Sequence, residues 1–276
     1  MAASPQRDDN LPSVFMAELT LRHIEQYLQR NKLILVPVGS TEQHGPHLPL
    51  STDVLIPQEV CRRVALTRGA LVAPPISYSL SAGHKGFLAL VYISIHTFTA
   101  LVEEICLSLA EAGFREIVFV NGHYTNSYPI AMACLNASPK LPSGTIAFPI
   151  SYWEALPPAE LDEYLSMRVG LHANVGETSA VMAINPALVE LEQAVEDWPN
   201  FPPFTSNPLP AVIAFFETNA GSVHRATPSG VWGNPRVSSV EKGEIYLGQI
   251  ERAVLKFLDD VEATYDRIGR PETSGE

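Results

Sequence analysis

Cations are scarce in this sequence. Its 276 residues carry 18 Lys and Arg against 30 Asp and Glu, a formal net charge of −12. A chain so short of positive charge has no broad surface for nucleic-acid phosphates, and a small or cationic partner suits it better. Cysteine is sparse as well. Cys61, Cys106 and Cys134 are odd in number and have no C-x-x-C spacing, so no disulfide framework is implied. Each lies in an apolar segment and reads as a buried core thiol. Long apolar runs are missing too: nothing approaches the ~18 residues of a membrane-spanning helix. The first fifteen residues, "MAASPQRDDNLPSVF", hold no apolar stretch of the kind a secretory signal needs. The expectation is a protein of the reducing cytoplasm that binds neither membrane nor nucleic acid.

What the sequence does have is core-forming material. Hydrophobic residues make up 46% of the chain, enough for one large domain or two small ones. Residues 1–12 are polar with two prolines and read as a flexible arm. Residues 13–268 read as a single domain and 269–276 as a polar tail. Leu21, Ile24 and Leu28 recur at helical spacing, as do Ile56, Val60 and Val64, then Phe98, Leu101, Ile105 and Leu109. Short apolar runs stand between them: "LILVPV" at 33–38, "ALVAPP", "EIVFV" at 116–120 and "TIAFPI". Residues 199–235, rich in Pro, Gly, Asn and Ser, read as long loops. Leu247, Ile250, Val254, Phe257 and Val261 then predict a long amphipathic helix. Helices alternating with short, two-sidedly apolar strands predict a mostly parallel sheet covered on both faces, an α/β fold.

In such sheets ligands sit beyond the carboxyl ends of the strands. The two most unusual polar loops, "GSTEQHG" and "NGHYTN", each come directly after a predicted strand. Glu42 and His44 stand two apart in extended backbone and point the same way, a possible half of a metal site. Asp53 either bridges two cations with its two oxygens or caps the helix that begins there. His123 comes after the strand at 116–120, with Asn121 and Asn126 available to fix its loop. His172 and Glu177 do not share a face of a regular helix, but a turn at Gly176 could bring both inward. Nitrogen and oxygen donors without cysteine suit zinc, manganese or iron(II). Such ions lower the pKa of bound water to near 7 and polarise a carbonyl, so amide hydrolysis is the natural chemistry. No G-x-S-x-G elbow surrounds Ser40 or Ser127, which argues against a serine nucleophile. His47, His96 and His224 have no partner at a telling spacing and read as structural or solvated, and His23 reads as an exposed residue of the first helix.

The segments "PVGSTEQHGPHLPLSTD", "FVNGHYTNS", "HANVGETS" and "GVWGNPRVSSVEKGE" resemble the signature segments of the creatininase (creatinine amidohydrolase) family. The resemblance runs from "FMAELT" to the last helix. It implies a three-layer α/β/α sandwich, a centre of two divalent ions such as Zn, Mn or Fe, and assembly as a hexamer. It also implies hydrolysis of non-peptide C–N bonds in small cyclic amides or formamides. On that pattern Glu42, His44, Asp53, His123 and Glu177 are metal ligands, with Asp53 bridging. His172 takes a proton-transfer role, with Glu177 beside it as a catalytic residue, and Tyr124, Trp153 and His84 lie near the substrate.

Three departures point away from creatinine itself. Thr125 stands in "HYTN" where creatininase proper has "HYEN" with a glutamate ligand. Arg168 lies near the place of a substrate-packing tryptophan. Leu88, Ala89 and Leu90 replace a Pro-Gly-Thr turn after His84 and Phe87, which makes the pocket wall more apolar. Arg168 and Lys85 could face an anionic substrate, although a long cationic side chain is more often solvated.

Overall fold

The six residues Leu33–Val38 form a strand, β1, and every one of them is buried. Their side chains alternate between two cores. Leu33 and Leu35 join one apolar cluster, while Ile34, Val36 and Val38 join another. A strand apolar on both faces is stable only between two layers, and the computed structural model, which describes residues 11–199 and 209–272, supplies both.

In chain order, α1 (Leu21–Leu28) precedes β1, and α2 (Thr52–Arg68) leads to the short β2 (Leu71–Val72). Next come α3 (Ile95–Glu111), β3 (Glu116–Asn121), α4 (Ser127–Ala137) and β4 (Ile146–Ser151). The second half holds α5 (Pro158–Tyr164), β5 (Gly170–His172), α6 (Val175–Ile184) and α7 (Leu209–Glu217). It closes with α8 (Ser222–Ala226), β6 (Trp232–Gly233) and the long α9 (Val240–Ile268). The main sheet has the order β2-β1-β3-β4 and every pairing in it is parallel. A separate antiparallel pair joins β5 to β6. Helices α2, α6 and α9 cover one face, and α1, α3 and α4 the other. This is the mostly parallel α/β fold that the alternation of elements predicts.

Pro37 sits inside a central strand, where a missing N–H would ordinarily break a ladder. β2 ends at Val72, before it reaches Pro37, and the Pro37 carbonyl instead accepts from the Ile76 amide at 2.9 Å. Two helical stripes fall differently from their predicted positions. On α3 the buried set is Phe98, Val102, Cys106, Leu109 and Ala110, and Leu101 turns outward. On α9 the stripe ends at Leu258, and Phe257 is exposed. Both observed sets keep helical spacing, turned slightly around the helix from the predicted ones.

The larger correction concerns residues 199–235. Residues 200–208 lie outside the described residues, but the chain from 209 onward forms α7, α8 and β6 rather than long loops. Residues 1–10 and 273–276, where most of the predicted arm and tail fall, also lie outside the described residues. Just before the latter, Pro271 accepts from the Gly144 amide at 2.8 Å and Arg270 pairs with Glu116.

Candidate metal centre

β1 and β3 end side by side, and the loops that leave them carry the charged residues. Gly39 and Gly122, at the two strand ends, press on one peptide of α2. A Cβ at Gly39 would lie 2.3 Å from the Asp53 carbonyl oxygen, and one at Gly122 would lie 2.4 Å from the same atom. Pro57 has no N–H for that carbonyl, so the first turn of α2 leaves it facing the two glycines. The sheet therefore fixes Asp53 by direct backbone contact. The helix is not capped by this residue: Ser51 holds the N-cap position, and the Asp53 carboxylate turns inward.

Asp53 Oδ1 lies 3.0 Å from His44 Nε2, and Oδ2 lies 3.0 Å from His123 Nδ1. Donor atoms of Glu42, Asp53 and His123 all lie within 4.8 Å of one another, as do those of His44, Asp53 and Glu177. Glu42, His44 and His172 form a third such group. Asp53 belongs to the first two. The predicted ligands from three separate segments thus meet at the carboxyl end of the sheet.

The outer nitrogen of each imidazole is occupied. His123 Nε2–H donates to the Leu80 carbonyl at 2.7 Å, and His44 Nδ1 faces the Glu42 carbonyl at 3.3 Å. These bonds aim the other nitrogen of each ring at the carboxylates, as outer partners of metal-bound histidines do. Asn121 holds the His123 loop through both its backbone N–H and C=O, at 3.1 and 2.8 Å. Asn126 ties it to the Gly39 carbonyl at 3.2 Å.

The site fits divalent cations on its own chemistry. Glu42 is fully buried; Ser40 donates to its Oε2 at 2.8 Å, yet Oε1 makes no hydrogen bond. His84 Nε2 stands 3.2 Å from Oε1 but is poorly aligned for a bond. Among the described residues no Lys or Arg lines the cavity that holds Glu42, Asp53, Glu177 and Glu217. Without cations the histidines take up the compensating charge. Burial alone would lower the pKa of His44, but the Asp53 carboxylate outweighs it and raises it to about 9. Burial also opposes protonation of His123, and Glu42 and Asp53 raise it to about 10. Glu177 moves the other way for a carboxyl, pushed up to about 7 by burial, with the positive His44 opposing.

His172 differs from its neighbours. Burial, then the positive charges of His44 and His84, hold its pKa well below the usual histidine range. Its ring lies 4.3 Å from that of His44 and 4.7 Å from that of His84, centroid to centroid. The Gln43 carbonyl lies 2.8 Å from Nε2, which makes Nε2 the donor and leaves Nδ1 with the lone pair. The turn that brings His172 and Glu177 together is at Ala173 rather than Gly176. Ala173 has φ 50°, and its amide donates to Glu177 Oε2 at 2.6 Å. Asn174 caps α6 by accepting from the Glu177 amide at 3.0 Å, while Gly176 lies inside the helix against Tyr164.

Tyr124, Trp153 and His84 all line the cavity, with Leu171, Phe216 and Trp232 extending its apolar wall. Arg168 does not line it. Its guanidinium is exposed and pairs with Asp162 at 2.8 Å, which removes it from the candidates for an anionic substrate. His47 is structural: it is buried, with its Nε2 2.9 Å from Thr178 Oγ1. Two residues missed in the sequence stand out. Gln43 Nε2 lies 3.0 Å from His84 Nδ1, and Glu217 reaches the site from the end of α7. An apolar run, "AVIAFF", closing on a carboxylate was the available signal for Glu217, hidden by its proline-rich approach.

Comparison with known proteins agrees with this geometry. The family model described as Creatininase: Creatinine amidohydrolase matches residues 17–258. The creatinine amidohydrolase of Pseudomonas putida is 33% identical over 252 residues, covering 85% of this chain and 92% of that protein. The mycofactocin precursor peptide peptidase of Mycolicibacterium smegmatis is also 33% identical, covering 88% and 87%. The 3-dehydro-scyllo-inosose hydrolase of Thermotoga maritima is 27% identical, covering 89% and 84%. A crystal structure of creatininase matches with a TM-score of 0.76 at 32% identity, over 91% of this chain and 98% of that one. A Zn–Zn form of a creatininase mutant and a Mn creatininase match at TM-scores of 0.75 and 0.76, at 30% and 31% identity. The matched span reaches from just before α1 well into α9, and this chain is a member of the creatininase family of amidohydrolases.

Proposed function

We propose that this protein hydrolyses a non-peptide C–N bond in a small cyclic amide or lactam at a centre of two divalent cations. Glu42, His44, Asp53, His123 and Glu177 would hold them, as zinc, manganese or both, with iron as a third choice. The observation that carries this reading is the sharing of Asp53 between two groups of donor atoms, beside a buried Glu42 oxygen with no hydrogen bond. Cations bound there supply a water of lowered pKa and polarise a substrate carbonyl.

The chain's own residues do the rest. His172, neutral and with a lone pair on Nδ1, can take a proton at that atom and pass it to the departing nitrogen. Glu177, with its pKa near 7, is poised to exchange a proton beside it. The aromatic lining of Trp153, Tyr124 and Trp232 favours a flat, largely uncharged substrate and keeps bulk water from the reacting carbonyl. His84, held by Gln43, stands at the same wall. A hexameric assembly, a cytoplasmic location and residues 13–268 as one domain belong to the same proposal.

A second reading has support of its own: identity to a peptide peptidase equals that to a creatininase, so a peptide end is an alternative substrate. The test is a panel of creatinine, other cyclic ureas, lactams and a short linear peptide. Each is incubated with the protein as purified, after chelation, and after Zn²⁺ or Mn²⁺ is restored. Ring opening that disappears on chelation and returns with metal is expected. Turnover in metal-stripped protein, or none by fully loaded protein across the panel, overturns the reading.

A further inference from the structure

Among the described residues lining this cavity, Glu217 is the one acidic side chain that the family resemblance leaves without a role. It arrives on α7, far along the chain from the loops it meets, and its side chain is only 11% exposed. Its Oε1 accepts from His84 Nε2 at 3.2 Å, and its Oε2 accepts from Thr125 Oγ1 at 3.1 Å. Gln43 Oε1 takes the Gly45 amide at 2.8 Å, which turns the Gln43 NH₂ group to the Nδ1 side of His84 and leaves Nε2 facing Glu217. Both bonds to Glu217 are therefore donated to its carboxylate and orient it.

Among the described residues, no Lys or Arg lines the cavity to meet that carboxylate. Glu217 Oε1 and the unbonded Glu42 Oε1 each lie 3.2 Å from the same His84 nitrogen, so a buried and a largely covered carboxylate approach one point. A carboxylate accepts at about four lone-pair positions, of which these bonds use two. Space has been kept for this approach. A Cβ on Gly83 would fall 2.9 Å from Glu217 Oε2 and 3.0 Å from its Cα, so any larger residue would push α7 off the site. Gly221, after α7, is tied to the same turn by its amide, which donates to the Ala82 carbonyl at 3.0 Å.

We infer that Glu217 is a further carboxylate ligand of the cation held by Glu42, Asp53 and His123, with His84 and Thr125 as the partners that aim it. This rests on the metal-centre reading above and extends it: closure of α7 over the cavity and filling of that cation site become one event. A protein with α7 displaced would hold that cation more weakly, and a bound cation would hold α7 in place.

The test is metals per chain by elemental mass spectrometry, with Zn²⁺ or Mn²⁺ affinity by titration calorimetry on the full chain. Glu217→Gln keeps the shape and can keep the Thr125 bond while removing the charge. It should drop from about two metals per chain to about one. Thr125→Glu combined with Glu217→Gln returns a carboxylate from the neighbouring backbone to the same spot and should restore the second metal. A merely structural role for Glu217 would gain nothing from that rescue. His84→Gln should weaken the same cation about 10–100-fold, as loss of an aiming partner does. Two metals with unchanged affinity in Glu217→Gln would overturn the inference, and so would failure of Thr125→Glu to rescue a folded protein. Wild-type protein that binds no metal would instead overturn the metal-centre reading itself, so the two failures are distinguishable.

Discussion

Replacing Gly122 by alanine should damage stability and metal binding together. The added Cβ would sit 2.4 Å from the Asp53 carbonyl oxygen, 2.6 Å from Pro57 Cγ and 2.8 Å from Pro57 Cδ. Two of the three atoms belong to a proline ring held in a helix, and the third is backbone. Each contact is roughly 0.6–1 Å shorter than ordinary van der Waals distance, so α2 must retreat from the end of β3. Overpacking of this kind costs about 1–3 kcal/mol. At about 2–4 °C of melting temperature per kcal/mol for a chain of this size, that is a fall of about 2–12 °C. Because the shift is borne by the Asp53 peptide, the carboxylate shared by both donor groups moves with it. The assay is thermal unfolding of metal-free protein, and then Zn²⁺ titration. Gly248→Ala is the control: on α9 its Cβ would meet only the end of Arg252 at 3.7 Å. There the same change should raise stability by about 0.5–1 kcal/mol through helix propensity. Gly122→Ala melting within about 1 °C of wild type, with wild-type zinc affinity, would refute the reasoning.

Two other perturbations probe the site. Metal binding should release protons, because His44 and His123, at about 9 and about 10 in the metal-free protein, are both protonated at neutral pH. Protons and cations compete for the same nitrogens, so affinity rises as pH rises from 7 toward 9. Calorimetry in buffers of different ionisation heat reads this, and heats independent of the buffer would contradict it. Ala173→Gly relieves a φ of 50°, which costs a non-glycine residue about 1–2 kcal/mol, against a glycine entropy cost of about 0.5–1 kcal/mol. The variant should be as stable as wild type or slightly more so by urea unfolding, and a loss above about 1 kcal/mol would refute the strain argument.

Much of this arrangement is legible in the residues. β1 and β3 declare themselves because nearly every position is apolar, a pattern only a doubly covered strand requires. Glu42, His44, Asp53 and His123 then stand out as charge placed soon after such strands. The capping reading of Asp53 fails on geometry that no local pattern encodes, the contact of two strand-end glycines with one peptide of α2. Glu217 and the pairing of His84 with Glu42 and Glu217 are hidden for the same reason: they join segments far apart in sequence. The sequence points to Gly176 for the turn that lies at Ala173, because glycine is the usual bearer of such a conformation. Here the hydrogen bond from the Ala173 amide to Glu177 holds an alanine in it instead.

Counting metals tests most directly whether a shared Asp53 organises two cations. Protein purified without chelator, then equilibrated with Zn²⁺ or Mn²⁺ and dialysed, should hold about two metals per chain by elemental mass spectrometry. Asp53→Asn, which keeps the shape but weakens the shared ligand, should retain less than one on the same preparation while its folded far-ultraviolet spectrum persists. Wild type near zero after loading, or Asp53→Asn indistinguishable from wild type, would contradict it.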